Sequence, residues 1–198
     1  MSADRETIAF YDRDAARYLQ HVIDHGPRES LIAFEATLPR HGDVLDLGCG
    51  GGQDSAWLRD RGHTVVSMDA SAGLAREAKA RFEIDVQVGD FTTLEVVAAF
   101  DGVWAAASLH HASHTALSGV FARIGAALRA GGHFAANMKR GVDRRDGIGR
   151  FYCAMDTDTA RALLADTAVW TEVNVVERTG EGFDGVATPW LIISARRA

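Results

Sequence analysis

Between Ile8 and Val22 the apolar positions recur every three to four residues. Ile8, Tyr11, Ala15, Tyr18, Leu19 and Val22 share one face and predict an amphipathic helix. His25-Gly26-Pro27 ends it, and a shorter helix carrying Leu31, Phe34, Glu35 and Leu38 runs up to Pro39. From Asp43 the period changes. Short apolar runs at 44–47, 64–68, 84–88, 100–106 and 133–138 predict strands. Between them lie helical stretches at 53–61, around Leu74, Ala75, Ala78 and Phe82, and around Leu117, Val120, Phe121, Ile124 and Leu128. Ser113 is placed to cap the last of these at its start and Gly131 at its end. Strands alternating with helices imply a parallel sheet covered on both faces.

The C-terminal part breaks this rhythm. After a helix at 157–165, the runs Val169–Val176 and Pro189–Ala195 are separated only by a turn containing Gly180, Gly182 and Gly185, which predicts antiparallel neighbours. The expected architecture is an α/β fold of one domain over 1–198. Residues 1–40 form a helical cap, and 41–198 form a core of seven strands, mostly parallel, with one antiparallel strand near the C-terminus.

Chemistry concentrates at the ends of these strands, where open parallel sheets bind ligands. The first strand runs into Asp46-Leu47-Gly48-Cys49-Gly50-Gly51-Gly52, whose bare backbone lets a ligand approach closely. Asp69 ends the second strand, and a carboxylate there can accept bonds from both hydroxyls of a ribose. Asp90 follows the third strand and can accept from an adenine amine, with Phe91 beside the base. Ala107-Ser108-Leu109-His110-His111 follows the fourth. A dinucleotide fingerprint would need G-x-G-x-x-G, but Gln53 stands where the third glycine should be, which disfavours a dehydrogenase.

With these residues, the chain resembles the class I S-adenosylmethionine-dependent methyltransferases, in their small-molecule branch. The match runs through Asp46 to Gly52, Asp69, Gly89-Asp90-Phe91, Phe100 to His111 and Leu128 to Gly132. The resemblance implies a Rossmann-like sheet and S-adenosylmethionine as cofactor, with S-adenosylhomocysteine as product. It places Gly48 and Gly50 against the methionine part and has Asp46 orient the loop or the amino group. Asp69, followed by Ala70, would hold the ribose; Asp90 and Phe91 would hold the adenine; Ala107 would border the sulfonium. Tyr18 on the first helix is the aromatic candidate near that charge, whereas Tyr11 reads as core packing and Arg17 as part of the same segment. His110 and His111 are the candidate catalytic residues, as proton acceptors or anchors for the acceptor.

Composition narrows the partners. The 198 residues are 47% hydrophobic with a formal net charge of −6, which disfavours a nucleic-acid partner, and there is no apolar run long enough for a membrane span. The first residues do not read as a signal peptide, and Cys49 and Cys153 are not spaced as a pair, so a reduced cytoplasmic enzyme, monomer or homodimer, is expected. His110, His111 and His114 lack a nearby carboxylate or cysteine in sequence, and no metal is expected. The segment 139–150 carries Lys139, Arg140, Arg144, Arg145 and Arg150 against Asp143 and Asp146. It reads first as a solvated loop and second as the wall of a site for a small anionic acceptor, with Phe151, Tyr152 and Trp190 as further candidate walls. Two other functions stay open: a non-catalytic S-adenosylmethionine or S-adenosylhomocysteine binder, and a methyltransferase acting on a macromolecule through a partner subunit.

Overall fold

A computed structural model describes residues 4–24, 26, 28–181 and 186–198. Seven strands form one sheet: β1 (Asp43–Leu47), β2 (Thr64–Asp69), β3 (Val86–Val88), β4 (Phe100–Ala106), β5 (Leu128–Lys139), and, past a small hairpin of β6 (Arg144–Arg145) and β7 (Phe151–Tyr152), β8 (Trp170–Glu181) and β9 (Ala187–Arg197). Their order is β3-β2-β1-β4-β5-β9-β8. The first five pair in parallel, and β9 runs antiparallel to both β5 and β8. The expected single reversal is therefore present. It lies inside the sheet, with β8 at the edge.

Among the described residues six α-helices flank the sheet: α1 (Arg5–Asp24), α2 (Glu29–Glu35), α3 (Gln53–Arg59), α4 (Ala72–Phe82), α5 (His114–Ala127) and α6 (Thr157–Thr167). The strands read as continuous apolar runs because both faces are covered. Leu45, Leu47, Val103, Ala105, Phe134 and Ala136 pack with Leu117, Val120, Phe121 and Ile124 of α5. Their alternates Val44, Trp104 and Ala135 pack with Leu31 and Phe34 of α2 and Leu58 of α3.

Three local expectations need correction. The buried residues of α1 are Thr7, Phe10, Ala15 and Leu19: Ala15 and Leu19 lie on the face read in the sequence, whereas Thr7 and Phe10 sit one position before the expected Ile8 and Tyr11. A break from helical geometry at Asp14 (φ −103°, ψ 16°) lets the two halves present different faces. Gly131 does not cap α5, which ends at Ala127 and passes directly into β5 at Leu128. The segment after β5 is not an open loop, since β6 and β7 pair there.

Helix α1 is fastened over the strand ends by its own acid. Asp12 Oδ1 accepts from Ser71 Oγ and from the Gly73 N–H, both at 2.7 Å. A Cβ at Gly73 would sit 2.6 Å from the Asp12 carbonyl oxygen, so this contact requires glycine. The cap thus rests on the start of α4, next to Asp69.

Candidate active site

Two cavities open at the carboxyl ends of the strands. The smaller, about 70 Å³, is walled by the glycine turn, the end of β2, Phe91 and the strained turn after β4. The larger, about 350 Å³, lies toward β5, β7 and β9. They share Tyr11, Tyr18, Arg28 and Ala107.

The glycines of the turn do different work. Gly48, Gly50 and Gly52 all have positive φ. A Cβ at Gly48 would lie 2.2 Å from the Ser108 Cβ, so the turn closes down onto the chain after β4, where Ser108 Oγ donates to the Leu47 carbonyl at 2.7 Å. At Gly50 (φ +57°) the nearest atom to such a Cβ is in the Tyr18 ring, 3.9 Å away. Gly48 serves packing, while Gly50 leaves open the surface that faces the cavity. Cys49 is buried beneath the turn, and burial holds its thiol well above the ordinary range.

Asp69 Oδ2 accepts the Gly50 N–H at 2.8 Å and its Oδ1 the Ser71 N–H at 2.8 Å. One carboxylate therefore sets both the turn and the start of α4. Burial raises its pKa against the lowering effect of these backbone bonds. Asp46, buried at the end of β1, accepts from Ser55 Oγ at 2.7 Å, and Ser67 Oγ donates on to Ser55. Burial first, then the charge of Asp54, pushes its carboxyl up to about 8. Asp54 is itself held by Arg28 Nη1 at 2.7 Å and by the indole N–H of Trp104 at 2.9 Å.

Of the residues expected around a cofactor, Asp46, Gly48, Gly50, Asp69, Ala70, Phe91, Ala107 and Tyr18 all line the smaller cavity. Asp90 does not. Its Oδ1 accepts from the N–H and hydroxyl of Thr92 and caps the short turn at Phe91–Thr93. Ala107 has φ +54°, a left-handed conformation that costs a non-glycine residue on the order of 1 kcal/mol and is typical of functional sites. Arg17 stays on the surface beside Asp14. Tyr11, read from sequence as core, instead borders both cavities; its helix face was misassigned by the same one-residue step.

The two histidines are buried and point to different cavities, His110 to the larger and His111 to the smaller. His111 Nδ1 lies 2.6 Å from the Phe151 carbonyl oxygen, which can only accept, so Nδ1 carries the proton. Its Nε2 then accepts from the Tyr11 hydroxyl at 3.1 Å. Burial lowers the His111 pKa to about 4, and both ring nitrogens are engaged. His110 is driven well below the ordinary imidazole range by burial, then by His111, Lys139 and Arg150, and its Nδ1 has no hydrogen-bond partner among the described residues. Both rings are neutral near pH 7, and this environment makes each a weak base.

Most of the segment 140–148 is exposed, as a solvated loop would be, but Arg150 departs from that reading. It is 3% exposed, its Nε donates to Asp146 Oδ2 at 2.9 Å, and its Nη1 donates to the Tyr11 hydroxyl at 3.4 Å. Lys139 is also buried, at 5% exposure. Hydropathy alone could not find them, but the aromatic residues that bury them, Tyr11, Tyr152 and Trp190, were visible in the sequence. His114 also differs from expectation. The fold brings Asp143 Oδ1 to 2.9 Å from its Nε2, and Cys153 completes a group whose ligand atoms lie within 4.8 Å of one another, apart from His110 and His111. Burial holds the Cys153 thiol up at about 12.

Comparison with known proteins follows the same geometry. Residues 44–132 match the sequence profile of a family described as a methyltransferase domain. A malonyl-[acyl-carrier protein] O-methyltransferase of Enterobacter lignolyticus is 37% identical over 106 residues, covering 51% of this chain and 41% of that protein. The chain thus spans about two fifths of that relative's length. Among solved structures, a Burkholderia thailandensis 1,6-didemethyltoxoflavin-N1-methyltransferase with bound 1,6-didemethyltoxoflavin and S-adenosylhomocysteine superposes with a TM-score of 0.69 at 23% identity, over 100% of this chain and 92% of that one. A SAM-dependent methyltransferase of Methanosarcina mazei gives a TM-score of 0.74 at 15% identity, over 86% and 98%. Residues 44–132 carry the matched methyltransferase domain, and the sheet around them has the fold of these S-adenosylmethionine-dependent methyltransferases.

Proposed function

We propose that this chain transfers a methyl group from S-adenosylmethionine, held in the smaller cavity, to a small anionic acceptor in the larger one. The observation that carries the reading is the meeting of two unlike cavities at Tyr11, Tyr18, Arg28 and Ala107. The first is made of open backbone and carboxylates, and the second of aromatic rings and cations.

The residues of the smaller cavity fit the cofactor. Gly50 leaves room where any side chain would intrude. Each Asp69 oxygen accepts one backbone N–H, and a carboxylate offers about four lone-pair sites, so acceptor capacity remains for two ribose hydroxyls. Phe91 supplies an apolar wall for the base. Asp46 supplies a carboxyl for the amino group, and Tyr18 a ring face at the junction. Tyr11 and Tyr18 of α1 border this cavity, so the helix lies over whatever occupies it.

When bound, S-adenosylmethionine supplies a methyl group already activated on a sulfonium. The chain's own task is alignment and exclusion of water, which can contribute on the order of 7–11 kcal/mol. His110 and His111, neutral and weakly basic, are suited to positioning an acceptor by hydrogen bonding. The toxoflavin enzyme's bound heterocycle supports a small-molecule acceptor, and the net charge of −6 supports it over a nucleic acid. Among the described residues no helix is long and apolar enough to cross a membrane, consistent with a cytoplasmic enzyme.

Calorimetric titration with S-adenosylhomocysteine tests the reading. Wild type is expected to bind in the micromolar range, and Asp69→Ala to lose about 1–3 kcal/mol. Well-folded wild type that does not bind refutes the proposal. Binding without turnover across an acceptor screen, followed by an assay coupled to hydrolysis of S-adenosylhomocysteine, would favour a non-catalytic binder.

A further inference from the structure

The β6–β7 hairpin is flanked by side chains that methyl transfer does not use. Asp143 stands one residue before β6, Cys153 one residue after β7, and His114 is the first residue of α5. The fold brings a nitrogen, an oxygen and a sulfur from these three side chains within 4.8 Å of one another. Among the described residues no other three histidine, cysteine or carboxylate side chains gather their ligand atoms this closely. His114 Nε2 lies 2.9 Å from Asp143 Oδ1, and that oxygen also accepts the Ala154 N–H at 3.0 Å, which orients the carboxylate. Cys153 is fully buried beside this exposed pair. Its N–H donates to the His110 carbonyl at 2.7 Å, so the backbone fixes its place. An exposed ion pair contributes little to stability by itself and has no use for a thiol beside it.

The donor set selects the ligand. Imidazole nitrogen, carboxylate oxygen and thiolate sulfur in one cluster suit zinc and similar borderline-soft ions, whereas magnesium and calcium take oxygen. Zinc bonds of about 2.0–2.3 Å at tetrahedral angles set ligand atoms about 3.3–3.7 Å apart. The 2.9 Å between nitrogen and oxygen and the outer limit of 4.8 Å bracket that range. The adjustment falls on His114 and Asp143, whose side chains are exposed, while Cys153 stays in place. Three protein ligands leave the fourth position for water.

We propose that His114 Nε2, Asp143 and Cys153 Sγ hold a divalent ion of the zinc type, which clasps the hairpin to the start of α5. On binding, the Cys153 thiol gives its proton to solvent and bonds to the metal as thiolate, and the His114–Asp143 hydrogen bond is replaced by one metal bond from each residue. Two paired residues per strand make a marginal hairpin on their own. The clasp joins both of its ends. Tyr152, the neighbour of Cys153 in sequence, lines the larger cavity, so the ion steadies one wall of it.

Chelator-treated protein is titrated first with Co²⁺ and then with Zn²⁺. One equivalent of Co²⁺ is expected to give the visible bands of a tetrahedral centre and a near-ultraviolet thiolate-to-cobalt band, both bleached by Zn²⁺. Mg²⁺ should produce neither. Cys153→Ser should lose the thiolate band. His114→Gln and Asp143→Asn, at exposed positions, should each weaken Zn²⁺ binding at least tenfold, so the proposal does not depend on Cys153→Ser folding. Zn²⁺ should also slow amide exchange in the hairpin of wild type but not of His114→Gln. Absence of the thiolate band in wild type, or its persistence in Cys153→Ser, overturns the site. Zn²⁺ affinity unchanged in both exposed variants would mean an adventitious ion only. Binding at the site with unaltered hairpin exchange overturns the clasp. None of these readouts needs S-adenosylmethionine, so the outcome is independent of the methyltransferase reading.

Discussion

The smaller cavity is built of backbone and of side chains that bond to backbone nearby; the larger is built of side chains from segments far apart in the chain. Gly48 to Gly52, Asp69 and Ala107 each follow directly from a strand end, so the sheet alone delivers them to one place. Tyr11, His110, Lys139, Arg150 and Trp190 come from α1, the turn after β4, the end of β5, the hairpin and β9. Substitutions in the first region therefore act on folding and cofactor binding together. In the second they alter what is bound while the frame persists.

The sharpest break in this comparison lies inside the glycine turn. Gly48→Ala places a methyl 2.2 Å from the Ser108 Cβ at φ +77°, so strain and overpacking combine to cost on the order of 3 kcal/mol, read by urea unfolding. Gly50→Ala meets nothing closer than 3.9 Å and should cost only about 1 kcal/mol for its left-handed backbone. Its methyl points into the cavity, however, so S-adenosylhomocysteine affinity should fall at least tenfold. If Gly50→Ala binds as wild type does, the ligand does not lie against this turn.

How much of each region could be read from the sequence follows from the same contrast. The glycine turn, Asp69 and Ala107 were legible because a strand end is a local event with a fixed destination. Asp90 was placed at the right strand end but takes its bonds from Thr92, two residues on, a local competition that spacing does not reveal. Lys139 and Arg150 looked like solvated charges because hydropathy records the charge and not the Trp190, Tyr152 and Asp146 that bury it. His114 seemed isolated because Asp143 and Cys153 reach it only through the fold. Tyr11 read as core, yet Phe10 is the buried residue of that turn and Tyr11 borders both cavities, because the two halves of α1 on either side of the break at Asp14 present different faces.

A smaller effect separates the cavities by pH. The Asp46 carboxyl, raised to about 8, is mostly protonated at neutral pH in the free protein. A ligand ammonium beside it favours the carboxylate, so binding releases a proton and affinity for S-adenosylhomocysteine rises as pH climbs through about 8. The gain is at most about tenfold, or 1.4 kcal/mol. The stability sign is opposite: a raised folded pKa contributes stability below the ordinary carboxylate value of 3.8 and loses it as pH rises through about 8. Calorimetry in buffers of different ionisation enthalpy counts the proton. Asp46→Asn should abolish its release, and persistent release in that variant would assign the proton elsewhere.

The smallest expected effect is at the seam. Tyr11→Phe removes a hydroxyl that donates to His111 Nε2 and accepts from Arg150, leaving a buried ring nitrogen unpaired at a cost of about 1 kcal/mol. Because Phe151 fixes the proton on Nδ1, that hydroxyl bonds to the neutral form of His111 and helps keep it neutral. Its loss should therefore move the His111 titration upward from about 4, which NMR of the ring carbon protons can follow. An unmoved or lowered titration would mean that Tyr11 does not donate to His111, and the link it makes between the two cavities would then run through Arg150 alone.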